Sequence, residues 1–358
     1  MALLDIFSNL RQPAKTSGKV VGIDIGSSSI KLVELEDRND VVTLTTYGEV
    51  QIGPYADKEL GQTVVLQPKQ EQTALVDVLR ESAVKARQAV FAMPLASSFV
   101  TVMEMKARPD EDISSRIRVE ARKYIPVPIS DVTLDWAEID TLHPEDTNER
   151  RVLLAAIQNE GLERLRTLMR HVNMPSQPSE IECFSAIRGV TDFDDATTAV
   201  IDLGAASSKL YIAESGLLHR MHRVRAGGAM CTNRLAKAHD ISFQDAELRK
   251  RGVHKGDEHY RDIAKVHESC FERALGEFRR VIEEYESLEG TTIKRVVVIG
   301  GPVQFVGLPG MITDTLQRDI EIANPFAKVA YPAFMEDLIT TIGPSFTTAL
   351  GAALRNFE

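Results

Sequence analysis

The chain contains the stretch Asp24-Ile25-Gly26-Ser27-Ser28-Ser29-Ile30-Lys31-Leu32, and it repeats the pattern later as Asp202-Leu203-Gly204-Ala205-Ala206-Ser207-Ser208-Lys209-Leu210. Asp, Gly, Ser, Lys and Leu recur in register, and each copy follows a run of β-branched residues. Internal similarity on this scale predicts that one supersecondary unit occurs twice in the fold.

Each copy predicts a buried strand, a tight Gly-Ser turn and a second strand. Amides of such a turn point into one concavity and bind anionic oxygen, and serine hydroxyls add donors. Gly26 and Gly204 allow positive φ angles and let the backbone come close to a ligand. Asp24 and Asp202 would repel phosphate, so they are better placed to hold Mg²⁺ through its water shell. Two facing hairpins would then clasp a polyphosphate.

A third element, Lys294-Arg-Val-Val-Val-Ile-Gly300-Gly301, runs a β-branched strand into two glycines, with a helix predicted near Gly310. Strand-then-glycine occurs in many α/β folds, and a single Gly-Ser hairpin is also an ordinary turn. The three elements together favour one nucleotide cleft, with Gly300 and Gly301 on its adenosine side.

Composition limits the class of protein. The 358 residues carry a net charge of −10, which argues against nucleic acid as a partner. Three scattered cysteines indicate a reducing cytosol rather than a disulfide framework or a thiolate metal site. Neither an apolar stretch long enough to span a bilayer nor a signal-peptide pattern is evident, so we expect a cytoplasmic, two-lobed protein.

Between the hairpins, residues 89–171 predict a strand-helix-strand-strand-helix package, which we interpret as an inserted subdomain. Its helices are predicted over 113–124 and 160–171. Further helices are predicted over 72–88 and 258–288, and a small-residue helix over Phe346–Leu354. Residues 3–10 carry a weak helical stripe that favours either a membrane-touching anchor or a frayed, partner-bound tail.

The order of hairpin, insertion, second hairpin and strand-Gly-Gly is similar to that of the actin, sugar-kinase and Hsp70 superfamily, and the sequence contains no P-loop motif. Within it the chain resembles, over nearly its whole length, the PilM family of type IV pilus assembly proteins, which is related to the division protein FtsA. The segments that carry the resemblance are 21–35, 122–132, 181–188 and 348–354.

The resemblance implies an α/β, actin-like (ribonuclease H-like) two-lobe fold with duplicated phosphate-binding hairpins and an inserted subdomain of the FtsA/PilM type. It divides the chain into a lobe I core (1–92 and 172–195, with a C-terminal helix 345–358 packing back), the inserted subdomain (93–171), a lobe II core (196–225 and 293–344) and a fourth subdomain (226–292).

It also implies ATP as ligand, with Mg²⁺ held through water by Asp24 and Asp202. The nucleotide-binding positions carried over are Asp24, Gly26, Ser27, Ser28, Ser29 and Lys31 in the first phosphate motif, Asp202, Gly204, Ser207 and Ser208 in the second, Gly227 and Gly228 at the start of the fourth subdomain, Glu247 and Lys250 beside adenosine, and Gly300 and Gly301 in the adenosine motif. Pro302 stands where the superfamily commonly has a third glycine.

Several side chains keep two interpretations. Glu182 falls where relatives orient the attacking water, but a carboxylate at a helix start also stabilises the helix dipole. Lys31 and Lys209 either contact phosphate or brace its loop, or project into solvent from the strand starts. Glu247 and Lys250, three apart on one helix face, contact adenosine or form only an exposed charge pair.

The function implied by the resemblance is that of a cytoplasmic ATP-binding scaffold at the inner face of the bacterial inner membrane, with at most slow hydrolysis. Such proteins bind the N-terminal cytoplasmic tail of the membrane protein PilN, and thereby tie PilN, PilO and PilP to motor ATPases and platform proteins. The inserted subdomain, residues 93–171, is the expected groove, and self-association is a further expectation.

Two alternatives stay open. An FtsA-like division protein would polymerise and recruit FtsZ. That family usually ends in an amphipathic membrane helix, whereas this sequence ends at Asn356-Phe-Glu358. A small-molecule kinase of the superfamily would need a base, usually Asp, at an acceptor hydroxyl, and no residue can be nominated for it.

Overall fold

A computed structural model describes residues 18–108, 111–139, 149–174, 180–192, 196–254 and 256–357. The helical stripe predicted at residues 3–10 lies outside the described residues.

The strands alternate with helices along the chain, as in other α/β folds. The strands are β1 (Lys19–Ile25), β2 (Ser29–Arg38), β3 (Val41–Gln51), β4 (Gln88–Met93), β5 (Ser98–Lys106), β6 (Val132–Ile139), β7 (Glu149–Gln158), β8 (Glu180–Ile181), β9 (Thr198–Leu203), β10 (Ser208–Glu214), β11 (Leu217–Val224), β12 (Arg295–Ile299) and β13 (Glu321–Ile322). The helices are α1 (Pro68–Glu81), α2 (Ser114–Ala121), α3 (Asn159–His171), α4 (Glu182–Arg188), α5 (Gly228–His239), α6 (Phe243–Gly252), α7 (Tyr260–Glu289), α8 (Leu308–Leu316) and α9 (Glu336–Leu354).

Two five-stranded sheets share one topology. Lobe I contains the order β3-β2-β1-β4-β8, and lobe II contains β11-β10-β9-β12-β13. In each sheet the hairpin strands pair antiparallel, and the next two strands add in parallel. The duplicated two-lobe architecture predicted from the repeat is therefore confirmed.

The predicted insertion is a small three-stranded sheet, β5-β7-β6, with α2 and α3. Ile117 and Ala121 of α2 pack with Met103 in a core of their own. Leu162 and Leu165 of α3 pack instead into the core of lobe I. The element order confirms the strand-helix-strand-strand-helix prediction, and α3 fastens the insertion to lobe I.

Helix α4 lies between the two lobes. Its buried residues Cys183 and Ile187 belong to one apolar core with Ile23 of β1 and Tyr211 of β10. Because burial of apolar area stabilises at about 25 cal/mol per Å², this shared core holds both sheets to one connecting helix.

The predicted helix over 72–88 is wrong in its bounds, since α1 runs from Pro68 to Glu81. The apolar spacing in the sequence continues past the end of α1 because the residues that follow lead into the buried strand β4. Ala83 has φ +50°, and the N–H groups of Lys85 and Ala86 both donate to the buried carboxylate of Glu34 at 2.6 Å instead of continuing the helix.

The C-terminal helix also begins earlier than predicted, at Glu336 rather than at 345, and contains Pro344. The carbonyl of Pro344 accepts a hydrogen bond from Gly300 N at 2.7 Å. This bond ties the helix to the end of β12. Among the described residues, no helix has the length and apolar character needed to cross a membrane.

Candidate functional site: a cleft between the two hairpins

The turns of the two repeated hairpins face one cavity of about 660 Å³. This volume lies in the range of small-molecule sites in proteins. Most of the nucleotide-binding positions inferred from the sequence line it, namely Asp24, Gly26, Ser27, Ser28, Ser29, Lys31, Glu182, Asp202, Gly204, Ser207, Gly228, Glu247, Lys250, Gly300 and Gly301. The fold thus brings together residues from both ends of the chain.

The two turns close in the same way. Gly26 N donates to Ser29 O, and Gly204 N donates to Ser207 O, each at 3.0 Å. Neither glycine adopts the positive φ that this residue type allows. Glycine fits here for space, since an added Cβ would lie about 3 Å from the same carbonyl oxygens.

Two predicted positions do not line the cavity. The Ser208 hydroxyl is fully buried and donates to the Ala226 carbonyl at 2.7 Å. Gly227 is the residue just before α5 and does not line the cavity. The N–H of the next residue, Gly228, donates to Gly204 O at 3.0 Å. Both residues therefore support the second turn rather than face the cavity.

Asp24 stands at the end of β1, directly opposite Lys31 in the β1–β2 register. Burial raises the pKa of Asp24 to about 6, against the opposing charge of Lys31. Its carboxylate accepts no hydrogen bond from any described residue. A desolvated carboxylate that faces a cavity in this way is suited to a cation, which would lower its pKa.

Lys31 is engaged rather than projecting into solvent. Its ammonium donates to Ser29 Oγ at 2.7 Å and forms an ion pair with Glu49 at 3.2 Å. Lys31 therefore braces the first turn against β3, with its ammonium at the cavity wall.

Lys209 occupies the matching position opposite Asp202 in the β9–β10 register, but its partners differ. Its ammonium donates to Asp202 Oδ2 at 3.0 Å and to Glu182 Oε2 at 2.7 Å. The other oxygen of Glu182 accepts from Leu95 N at 2.7 Å. The interpretation that Lys209 projects into solvent is therefore wrong. Its side chain lies between two carboxylates at the base of the cleft.

On the far side of the cavity, Glu247 is 5% exposed and Lys250 is 3% exposed. The interpretation of these two residues as an exposed charge pair is therefore wrong. Lys250 Nζ donates to Glu247 Oε2 at 2.5 Å and to Thr232 Oγ1 at 2.7 Å. The same ammonium lies 4.7 Å from the centroid of the Phe305 ring. This wall combines a flat aromatic ring with satisfied charges, a surface suited to a nucleoside base.

Gly300 lines the same cavity at the end of β12. Its φ is +98°, and an added Cβ would overlap the Leu203 carbonyl oxygen. Only glycine fits such a backbone without strain. Pro302 also lines the cavity, without a backbone donor at the position where a third glycine is common.

A segment of lobe I, which we call the strap (residues 52–67), crosses the cleft mouth. Ile52 N and Val64 N donate at 2.9 Å to the carbonyls of Ser28 and Ser27, so the strap holds the outer side of the first turn. At its far end, Gly61 packs against the side chain of Glu247 in lobe II.

The acidic side chains of the cleft suit Mg²⁺ unequally. In the described parts of the chain no three His, Cys, Asp or Glu side chains gather as a metal cluster. Asp24 fits a hydrated ion held jointly with phosphate oxygens, as Mg²⁺ prefers. Asp202 fits less well, because Lys209 already neutralises it.

The sequence did not point to Glu49 or Phe305, which also line the cavity. For Lys209 it left a role at the phosphates or their loop open, but it did not predict the ion pairs with Asp202 and Glu182. Phe305 carries no local signal, since it follows a short turn and its place depends on the stacking of His267 at 4.7 Å.

Comparison with known proteins supports this fold. A solved PilM–PilN type IV pilus biogenesis complex aligns with a TM-score of 0.79 and 24% identity, covering 96% of this chain and 99% of that chain. EutJ from Carboxydothermus hydrogenoformans aligns at 0.54 with 15% identity, covering 98% and 95%. MreB 5 of Spiroplasma citri, solved with AMPPNP bound, aligns at 0.52 with 12% identity, covering 94% and 95%. The fold is actin-like.

By sequence, the chain is 30% identical over 189 residues to the cell division protein FtsA of Rhizobium meliloti (strain 1021). That match covers 45% of this chain and 41% of FtsA, so it spans less than half of that relative. The sequence model described as type IV pilus assembly protein PilM matches residues 22–357. Since this match includes both hairpins, the insertion and the strand-Gly-Gly element, the chain belongs to the PilM family of type IV pilus assembly proteins.

Proposed function

We propose that this protein is a nucleotide-binding scaffold of a type IV pilus assembly complex at the inner face of the inner membrane. The observation that carries the proposal is the family match over residues 22–357, which includes every element of the cleft. The ligand we propose is ATP with Mg²⁺. An actin-like neighbour solved with a bound nucleotide analogue supports the nucleotide class.

In this proposal the amides and hydroxyls of the two turns bind the phosphates, as donors in a concavity do. Asp24 would hold the hydrated Mg²⁺, which supplies charge neutralisation to the phosphate chain. Lys250 and Phe305 would face the nucleoside. Glu182 would orient water only weakly, because both of its oxygens already accept hydrogen bonds, so we propose that hydrolysis is slow at most.

The partner we propose is the N-terminal cytoplasmic tail of a PilN-like membrane protein, which would bring the scaffold to pilus motor ATPases. A neighbour of the same fold, solved as a PilM–PilN complex, supports this choice. We place the docking surface on the inserted subdomain, where Val119 on α2 is an apolar side chain that is 57% exposed.

The test is titration of the purified protein with a fluorescent peptide that carries this tail, with and without ATP and MgCl₂. We expect saturable binding that Val119→Glu weakens by about tenfold or more, because a charge would replace an apolar contact. Leu288→Glu is the matched control, since Leu288 is also an exposed apolar residue, at 71%, but lies on α7 in lobe II. Absence of binding by the parent protein would overturn the proposed partner.

The FtsA match gives a second candidate, an FtsA-like division protein. It requires filaments that form with ATP and bind FtsZ. Sedimentation with Mg-ATP, with and without added FtsZ, separates the two: a pellet that retains FtsZ favours division, whereas a supernatant that still binds the PilN-like peptide favours the pilus scaffold.

A further inference from the structure

The two hairpins repeat in register, but their lysines do not repeat in role. Lys31 lies opposite Asp24 and pairs with Glu49 on the neighbouring strand. Lys209 lies opposite Asp202 and pairs directly with that carboxylate, at 3.0 Å. The same cross-strand pair is therefore open in the first hairpin and closed in the second.

Lys209 also reaches out of its own lobe. Its second partner, Glu182, is the first residue of α4, the helix that packs between the lobes. The ammonium thus lies between a carboxylate of lobe II and a carboxylate of the connecting helix, with Lys209 only 9% exposed.

The geometry holds this ammonium in place. Asp202 Oδ2 and Glu182 Oε2 each accept one of its hydrogen bonds, at 3.0 and 2.7 Å. Charge-assisted hydrogen bonds of this kind are short and strong, so the lysine is positioned between the two carboxylates.

The consequence concerns the anionic charge that a nucleotide meets. Three carboxylates lie at the base of the cavity: Asp24, Asp202 and Glu182. A phosphate chain is repelled by each carboxylate that no cation neutralises. Lys209 pairs with two of the three and offsets one of their two negative charges as part of the protein itself, whereas Asp24 has no such direct ion pair with any described residue.

We propose that Lys209 is a resident cation of the cleft, which offsets part of the negative charge of Asp202 and Glu182 that an added divalent ion would otherwise have to offset. Nucleotide binding therefore depends less on Mg²⁺ than it would with both aspartates open, and Glu182 is held away from attacking water. This inference rests on the proposed nucleotide-binding function and specifies which group of the cleft sets its metal dependence.

The experiment is calorimetric titration of the full chain with ATP, in excess MgCl₂ and in excess EDTA, and the readout is the ratio of the two affinities. For the parent protein we expect a ratio below about tenfold. Lys209→Gln should raise it by a further tenfold or so, because two like charges are then exposed to the phosphates. Lys209→Arg, which keeps the cation, should restore the parent ratio.

Lys250→Gln is the matched control, since it removes a buried lysine that pairs with Glu247 on the far side of the cavity. It should weaken ATP binding in both buffers and leave the ratio unchanged. Should Lys209→Gln fail to fold, Glu182→Gln tests the same charge balance: it leaves Lys209 paired with Asp202 alone, so the ratio should fall below that of the parent protein.

The inference is overturned when Lys209→Gln, or Glu182→Gln in its place, binds ATP with the parent ratio, or when the parent protein binds ATP only in MgCl₂. In both cases nucleotide binding itself survives. Absence of ATP binding by the parent protein in either buffer overturns the proposed function as well.

Discussion

The carboxylate of Glu59 accepts a hydrogen bond from the backbone N–H of Gln244 at 2.7 Å, and this contact joins the strap of lobe I to lobe II. Gln244 lies in the first turn of α6, where backbone N–H groups have no helical partner and favour a negative charge. The same helix carries Glu247 and Lys250 of the cavity wall. The bond therefore closes the mouth of the cleft on the side where we place the nucleoside.

Removal of this bond should speed nucleotide release. We expect Glu59→Ala to lose about 1 kcal/mol of closure, and so to raise the release rate of a fluorescent ATP analogue about fivefold in stopped-flow measurements. The melting temperature should change little, because the side chain is only half-buried. Lys58→Ala, an exposed neighbour, is the control, and equal release rates for the two variants would show that the strap does not gate the cleft.

Asp24 should make stability depend on pH. Its folded-state pKa of about 6 exceeds its ordinary value of 3.8, so as pH rises the unfolded chain releases this proton before the folded protein does. The free energy of unfolding therefore falls as pH rises from 3.8 to about 6. Asp24→Asn removes this cost. We expect it to raise the free energy of unfolding of the nucleotide-free protein by about 1–2 kcal/mol near pH 7.5, and by much less near pH 4.5.

Urea denaturation at both pH values measures this difference. The exposed Asp37→Asn serves as the control, since it lies on β2 of the same sheet but outside the cavity. A stabilisation by Asp24→Asn that is equal at both pH values would contradict the burial of an ionised Asp24.

The repeated motif predicted the fold because it is local. A β-branched run followed by Gly-Ser fixes a strand and a turn within a few residues, and the in-register Asp and Lys positions fix the pairing. The confirmed hairpins, the inserted sheet and the long helix α7 all depend on periodicity of this kind.

The side chains of the cleft were less predictable because their partners are distant in sequence. The pairing of Lys209 with Glu182 requires α4 to pack between the lobes, and the bond from Gln244 to Glu59 joins residues from separate lobes. The end of α1 depended on Glu34, whose carboxylate accepts two N–H groups that the helix would otherwise use. No local pattern encodes such tertiary contacts.

A buried charge cluster should hold α9 against α4. Glu180 is fully buried, accepts hydrogen bonds from Ser185 and Arg188, and forms an ion pair with Arg355 beyond the end of α9. Burial alone would raise its pKa, but the two arginine charges hold the pKa of Glu180 below its usual range. Its stabilisation is therefore present above its ordinary pKa and lost as pH falls.

We expect Glu180→Gln to lower the free energy of unfolding by about 3 kcal/mol at neutral pH, because it leaves the buried Arg355 and the half-buried Arg188 short of one negative charge. Urea denaturation measures the loss. Asp192→Asn is the matched control. Asp192 also forms an ion pair, with Lys328, but its carboxylate is exposed to solvent, so the expected change in the free energy of unfolding is below about 1 kcal/mol. Similar losses in both variants would contradict the structural role of Glu180.

Gly22 lets α9 cross β1 at backbone contact. A Cβ added there would overlap the carbonyl oxygen of Ala349 and the nitrogen of Ala353, and neither backbone atom can move without shifting the helix. We expect Gly22→Ala to destabilise the protein by about 3 kcal/mol, or to prevent folding, as overpacking against backbone does.

Gly276→Ala makes the same chemical change inside α7, where nothing lies within 4 Å of the added Cβ. That variant should stabilise by up to about 1 kcal/mol, because alanine favours helix over glycine. Opposite signs of the two changes in thermal unfolding would confirm that the helix crossing, and not glycine content, requires Gly22. A neutral Gly22→Ala would mean that α9 can separate from β1 without cost.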